Sequence, residues 1–232
     1  TALRRQRQMC IRDRFYLLIN ISNISMKHLI LIRHGQSEWN QQKRFTGWVD
    51  VGLTDKGRAE AKKAGELIKK KKIKLDSFYS SYQKRANDTL KIVMKELNED
   101  ENIITKKWQL NERHYGELTG LNKEDMKKKY GEEKIHQFRR SWDVKPGALD
   151  RKSPYHPLNI ETYKDIPVSD IPDTESLKDT HKRVVDCYNE LILKDLQNSK
   201  GVCVSAHGNS LRALCKYLFK INEREISKME IP

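Results

Sequence analysis

Two tripeptides in this 232-residue chain set a histidine before a glycine at the end of an apolar run. The first is Arg33-His34-Gly35, closing the run KHLILIR; the second is Ala206-His207-Gly208, after GVCVS. Imidazole serves as acid, base or nucleophile near neutral pH, and glycine lets a backbone approach a ligand closely. A single histidine at a strand end is ordinarily a hydrogen-bonded structural residue. Two at equivalent ends, each followed by glycine, mark a site. The helix signal that opens at Asn209 adds free N–H groups and a positive dipole end, so the chemistry such a site suits is that of an anion.

Composition agrees with an anionic partner without choosing one. Lys and Arg outnumber Asp and Glu by 46 to 32, a formal net charge of +14, which suits nucleic acid or a phosphorylated metabolite. Runs such as Lys69 to Lys72 and Lys127 to Lys129 read as solvated helix faces. The aromatic residues are not interleaved with a basic stripe and no nucleic-acid-binding motif occurs, which argues against nucleic acid. No apolar stretch approaches the ~20 residues of a membrane-spanning helix, so a soluble protein is expected. Four cysteines without CxxC spacing suit a reducing, cytoplasmic compartment, and Cys203 and Cys215 read as small buried hydrophobes. No His, Cys and Asp cluster has metal-ligand spacing, so no metal is expected.

The elements that must carry the two histidines follow from periodicity. Residues 27–33 form a short Ile- and Leu-rich run, the pattern of a buried parallel strand. Thr54 caps a helix to Lys72 with Ala61, Ala64, Gly65 and Ile68 on one side. A strand over 75–81, a helix over 82–97, a long helix over 176–196, a strand over 201–206 and a helix over 209–219 follow. The long helix carries an apolar stripe of Leu177, His181, Val184, Val185, Tyr188 and Leu191. Strands alternating with helices at this spacing predict an α/β three-layer sandwich, a mostly parallel central sheet with helices on both faces and its ligand at the carboxyl strand ends. Between them, residues 102–170 are polar, hold four of the six prolines, and allow short helices at 123–130 and 132–142. This is read as an inserted lid over about 110–172.

The first 25 residues hold five Arg and one Asp and show no period leading into the next element. They are expected to be a non-native or targeting extension, disordered, with translation starting at Met26. Residues 27–232 then form a single domain.

Beyond the two histidines, several blocks together resemble one family. LIRHGQSEWN at 31–40 is similar to the signature of the histidine phosphatase superfamily. With FTGWVDVGLTDKG at 45–57, SSYQKRA at 80–86, LNERHYGELTGLNK at 110–123, FRRSWDV at 138–144 and SAHGNSLRAL at 205–214, the chain resembles the cofactor-dependent phosphoglycerate mutases, from about residue 27 to 232.

The resemblance implies a glycolytic and gluconeogenic interconversion of 3-phosphoglycerate and 2-phosphoglycerate through a phosphohistidine at His34, primed by 2,3-bisphosphoglycerate. It places Arg33, Arg85, His207 and Asn40 around the phosphoryl group and makes Glu112 the general acid and base. Thr46, Gly47, Tyr115, Lys123, Arg139, Arg140, Gly208 and Asn209 match positions that hold the substrate. A homodimer or dimer of dimers is the implied assembly. Charge spreads over the oxygens of a phosphoryl group in transfer, which is why planar arginine forks suit the clamp. His28, His114, His136, His156 and His181 fall in no motif and are expected to be structural or surface residues. Two departures stand out: Gln36 occupies a position often held by Glu, and relatives typically continue past Met229-Glu230-Ile231-Pro232 through a final strand and a mobile tail. A phosphatase of the same superfamily is one rival, and the lid argues against it because excluding water suits transfer back to product; within the mutases a bisphosphoglycerate synthase is the nearer one, and Ser37 with Thr46 and Gly47 resembles the glycolytic branch instead.

Overall fold

A computed structural model of the chain describes residues 16–20 and 27–232. Its sheet has five strands: β1 (Tyr16–Asn20), β2 (His28–Arg33), β3 (Ser77–Ser80), β4 (Ile104–Lys106) and β5 (Gly201–Ala206), in the order β1-β2-β5-β3-β4. β2, β5, β3 and β4 run parallel and β1 is antiparallel at the edge. The expectation for the leading segment therefore needs correction at Tyr16–Asn20, which pairs with β2 from Tyr16 opposite Ile32 to Asn20 opposite His28. YLLIN is apolar enough to form a strand, and the edge of β2 offers a row of backbone donors and acceptors to pair with it. Residues 1–15 and 21–26, including Cys10 and Met26, lie outside the described residues.

The helices are α1 (Glu38–Gln41), α2 (Asp55–Lys70), α3 (Lys84–Leu97), α4 (Lys123–Tyr130), α5 (Glu132–Arg140), α6 (Leu177–Cys187), α7 (Leu193–Asn198), α8 (Gly208–Leu218) and α9 (Glu223–Ile226). Successive strand side chains point to opposite faces, and both faces are covered. Leu29, Leu31, Tyr79, Val202 and Val204 pack with Val184, Tyr188, Leu196, Leu211 and Leu214 from the α6–α8 layer. Ile30, Ile32, Phe78 and Cys203 pack with Ala64, Ile68, Leu90, Val93 and Met94 from α2 and α3. The two-sided burial is why the strands read as continuous apolar runs.

Caps set the helix starts. Thr54 accepts the Gly57 N–H to open α2, and Ser176 with Asp179 forms a capping box at α6. The long helix read over 176–196 runs without a break from Leu177 to Asn198, with a π turn at Tyr188–Ile192 joining α6 to α7. Its buried side holds Leu177, Thr180, Arg183, Val184, Cys187 and Tyr188. His181, expected on the apolar stripe, is only partly buried, while the charged Arg183, at the other edge of the buried face, takes an interior place described below. The structure also adds β4, too short at three residues for a period-2 pattern, and ends α5 at Arg140, where the Ser141 hydroxyl donates to the Gln137 carbonyl.

Residues of the 110–172 segment bury against the loop after α1. Phe45 packs with Tyr115, Leu118, Ile135 and Phe138, and Trp48 with Tyr163, Ile166 and Ile171. Among the described residues no helix is long and apolar enough to cross a membrane, and Cys187, Cys203 and Cys215 are all buried.

Candidate active site

Strand register brings the two histidines together. Arg33 lies opposite Ala206 at the carboxyl ends of β2 and β5, so His34 and His207 leave the sheet side by side. Their ring centroids are 4.9 Å apart. Ser80 lies opposite Ser205, which delivers Ser81 to the same place, and the Ser81 hydroxyl is 2.8 Å from His207 Nε2.

The loop bearing His34 is fixed from below. The Gly35 N–H donates to Thr89 of α3. A Cβ on Gly35 would lie 2.1 Å from the Gly57 carbonyl oxygen, and one on Gly57 would lie 2.1 Å from the Gln36 carbonyl oxygen. The first turn of α2 thus packs backbone to backbone on this loop, which only glycine permits at both positions. Ser37 and Asn40 form a capping box at α1, and Gln36 Oε1 accepts the Thr54 hydroxyl at 3.0 Å.

His34 Nδ1 is 2.7 Å from the Gly35 carbonyl oxygen. A carbonyl only accepts, so Nδ1 carries the proton and the Nε2 lone pair is left available. Burial, reinforced by Arg85 and Arg33, holds the His34 pKa well below its ordinary 6.5, with the Gly35 bond pulling weakly the other way. Burial likewise holds His207 well below 6.5, helped by Arg85 and by His34 itself. Both rings are neutral near pH 7.

One cleft gathers thirteen of the fourteen residues expected at the site: Arg33, His34, Asn40, Thr46, Gly47, Arg85, Glu112, Tyr115, Lys123, Arg139, Arg140, Gly208 and Asn209 all line it. His207 is fully buried behind His34. Arg85, 1% exposed, donates to the carbonyls of Val49 and Gly47, each at 2.9 Å. Gly47 has φ +53°, a left-handed turn that aims this carbonyl inward. Glu112 Oε1 accepts the N–H groups of Arg113 at 2.8 Å and Asn209 at 3.1 Å, so the carboxylate sits at the N-terminus of α8 as the dipole favours. Tyr115 receives the Asn209 side-chain amide at 3.0 Å. Burial lowers the Lys123 pKa, partly opposed by Tyr115.

Several residues at or behind the cleft escaped the sequence reading. Arg212, Glu230 and Ile231 line it. Arg212 donates to Asn209 Oδ1 at 2.9 Å and to the Met229 carbonyl at 3.1 Å. Burial and its cationic neighbours Arg140 and Arg113 bring its pKa down to about 10. Gln83, fully buried, donates to the Gly47 carbonyl and accepts the Glu112 N–H. Arg183 donates to the Glu112 carbonyl. Arg212 and Arg183 each stand on a helix face otherwise apolar, which was the available signal; an uncharged Gln ahead of a helix carries none. The last residues cross the cleft, with Arg33 donating to the Ile231 carbonyl and Arg140 pairing with Glu230. Among the described residues, no group of three or more His, Cys, Asp or Glu is placed to hold a metal ion.

Neighbours in fold and in sequence place the chain among known proteins. The fold is shared with a mycobacterial glucosyl-3-phosphoglycerate phosphatase at a TM-score of 0.66 and 21% identity, over 87% of this chain and 84% of that one. It is shared too with Bacillus stearothermophilus YhfR at a TM-score of 0.63 and 22% identity, over 86% and 83%. In sequence the chain is 62% identical to the 2,3-bisphosphoglycerate-dependent phosphoglycerate mutase of Pelagibacter ubique (strain HTCC1062), over 89% of this chain and 87% of that protein. It is 48% identical to the enzyme of the same name from Borreliella burgdorferi (strain ZS7), over 89% and 84%. The family model for the histidine phosphatase superfamily (branch 1) matches residues 29–156 and 155–232. With His34 and His207 paired at the strand ends, the chain belongs to the histidine phosphatase superfamily and, within it, to the family of 2,3-bisphosphoglycerate-dependent phosphoglycerate mutases.

Proposed function

We infer that this protein interconverts 3-phosphoglycerate and 2-phosphoglycerate, with His34 carrying the phosphoryl group between them and 2,3-bisphosphoglycerate as primer. The observation that carries the reading is a buried, neutral His34 whose Nδ1 proton is committed to Gly35, facing a cleft lined by six cations and two carboxylates. Two phosphates and a carboxylate carry roughly −4 to −5, a fit to that excess of positive charge. Two buried polar atoms without partners also suit an anion, Thr46 Oγ1 and His207 Nδ1.

His34 Nε2 attacks phosphorus as the phosphate ester O–P bond breaks. Glu112 gives its proton to the departing oxygen, and the Gly35 carbonyl supports the charge that grows on the ring. In the reverse sense Glu112 takes the proton of the attacking hydroxyl while the N–P bond of His34 breaks. Ser81 Oγ accepts the Gln83 N–H, leaving its own proton for His207 Nε2. His207 Nδ1–H is then a donor to the phosphoryl oxygens, alongside Arg33, Arg85 and Asn40. Thr46, Gly47, Tyr115, Lys123, Arg139, Arg140, Gly208 and Asn209 hold the rest of the substrate, and residues 110–172 act as the lid that keeps water out.

The test is to incubate the protein with 3-phosphoglycerate, with and without 2,3-bisphosphoglycerate, and follow 2-phosphoglycerate. Formation that depends on the bisphosphate and vanishes in His34→Ala is expected; turnover surviving His34→Ala defeats the reading. A homodimer or dimer of dimers working in the cytoplasm is the expected state, and light scattering on the purified protein checks the assembly.

A further inference from the structure

Glu112 lies in an irregular segment, residues 111–115, with no sheet or helix to hold it. A proton carrier needs its carboxylate fixed to a fraction of an ångström, and a loop does not supply that by itself. The backbone of this segment is held by side chains. Arg183 of α6, 9% exposed, donates Nη1 to the carbonyls of Gln109 at 2.6 Å and Asn111 at 2.8 Å, and Nη2 to the carbonyl of Glu112 at 3.0 Å. The same guanidinium meets Glu175 in a bidentate pair, Nε to Oε1 at 2.7 Å and Nη2 to Oε2 at 2.9 Å. Glu175 Oε2 in turn accepts the His114 N–H at 2.8 Å.

We propose that the buried Arg183–Glu175 pair is the positioning device for Glu112. This rests on the assignment of Glu112 as proton carrier. A planar fork can serve three carbonyls and a carboxylate at once, and no other side chain can. The pair ties the segment on both sides of Glu112, at Gln109 and Asn111 before it and at His114 after it. With Gln83 accepting the Glu112 N–H, both backbone polar groups of Glu112 are bound by side chains from outside the segment. Neither Arg183 nor Glu175 lines the cleft, so they act through Glu112 and are positioning residues. A buried ion pair is weak support for stability in itself; its placement around one carboxylate gives it a use.

A double-mutant cycle tests this, read as the single-turnover rate of His34 phosphorylation by 2,3-bisphosphoglycerate with the dissociation constant of the bisphosphate measured beside it. Arg183→Lys keeps the charge and loses the fork. It is expected to slow phosphorylation about 10- to 100-fold, the scale of a misplacement near 1 Å, while the dissociation constant moves less than about twofold. In the Glu112→Gln background the same change should add less than about twofold, because the group it positions is gone. Glu175→Gln runs through the same cycle and decides the matter if Arg183→Lys fails to fold. Effects that multiply in the double variants, or rates unchanged by both single variants, overturn the proposal. A Glu112→Gln protein that phosphorylates as fast as the parent would instead remove the assignment on which it stands.

Discussion

Three of the interior histidines should make this protein lose stability as pH falls below 6.5. His34, His207 and His114 are 7%, 0% and 0% exposed. Burial holds the first two well below their ordinary pKa and brings His114 down to about 3, with neighbouring His156 adding to the fall. The cation is disfavoured in the folded state, so below 6.5 the unfolded chain binds more protons and stability falls as pH falls; above 6.5 the contribution is fully present. For a group with an unfolded pKa of 6.5 that stays neutral when folded, going from pH 7.5 to 5.5 costs on the order of 1 kcal/mol. Three such groups lose a few kcal/mol, to be set against an ordinary domain's 5–15 kcal/mol. His114 allows the cleanest check. Its Nδ1 accepts the Gly116 N–H at 3.0 Å, an acceptor that asparagine reproduces, while its buried Nε2 has no partner. Urea titrations of the parent and His114→Asn at both pH values should show a loss smaller in the variant by about 1 kcal/mol. A loss identical in the two proteins would refute the reasoning, since His114 would then be titrating as freely in the fold as out of it.

Other consequences follow from the same packing. Gly57→Ala sets helix propensity, which favours Ala by about 1 kcal/mol, against a Cβ placed 2.1 Å from the Gln36 carbonyl oxygen. Overpacking of about 1–3 kcal/mol should win, so the melting temperature falls and turnover drops with it as the His34 loop moves; a raised melting temperature would mean the contact relaxes freely. Arg85→Gln removes the larger of the two cationic contributions to the low pKa of His34. The acid limb of His34 phosphorylation should therefore move to higher pH, seen in single-turnover profiles. Arg212→Lys cannot serve both Asn209 and Met229 as the guanidinium does, so KM for 3-phosphoglycerate should rise more than kcat falls, which steady-state kinetics will read.

The chain's periodicities marked the central strands and the helices that cover them. Apolar runs at 28–33 and 201–206 read as strands buried on both faces, and the amphipathic runs after them as covering helices. The two His-Gly junctions fell at strand ends for the same local reason, and the motif blocks marked the rest of the cleft. Tertiary structure alone decided what depends on register and distance. β1 formed because an open sheet edge met an apolar pentapeptide, an attraction invisible within either segment. The buried face of α6 extends to Arg183 and leaves His181 at its rim; a buried guanidinium is tolerable only when carbonyls and a carboxylate surround it, and those come from residues 109–112 and 175. The neutrality of His34 is likewise a property of the assembled interior: burial and two arginines set it, and the Gly35 carbonyl selects the nitrogen left free. Sequence specifies which groups are present; only folding fixes how much water and charge each one meets.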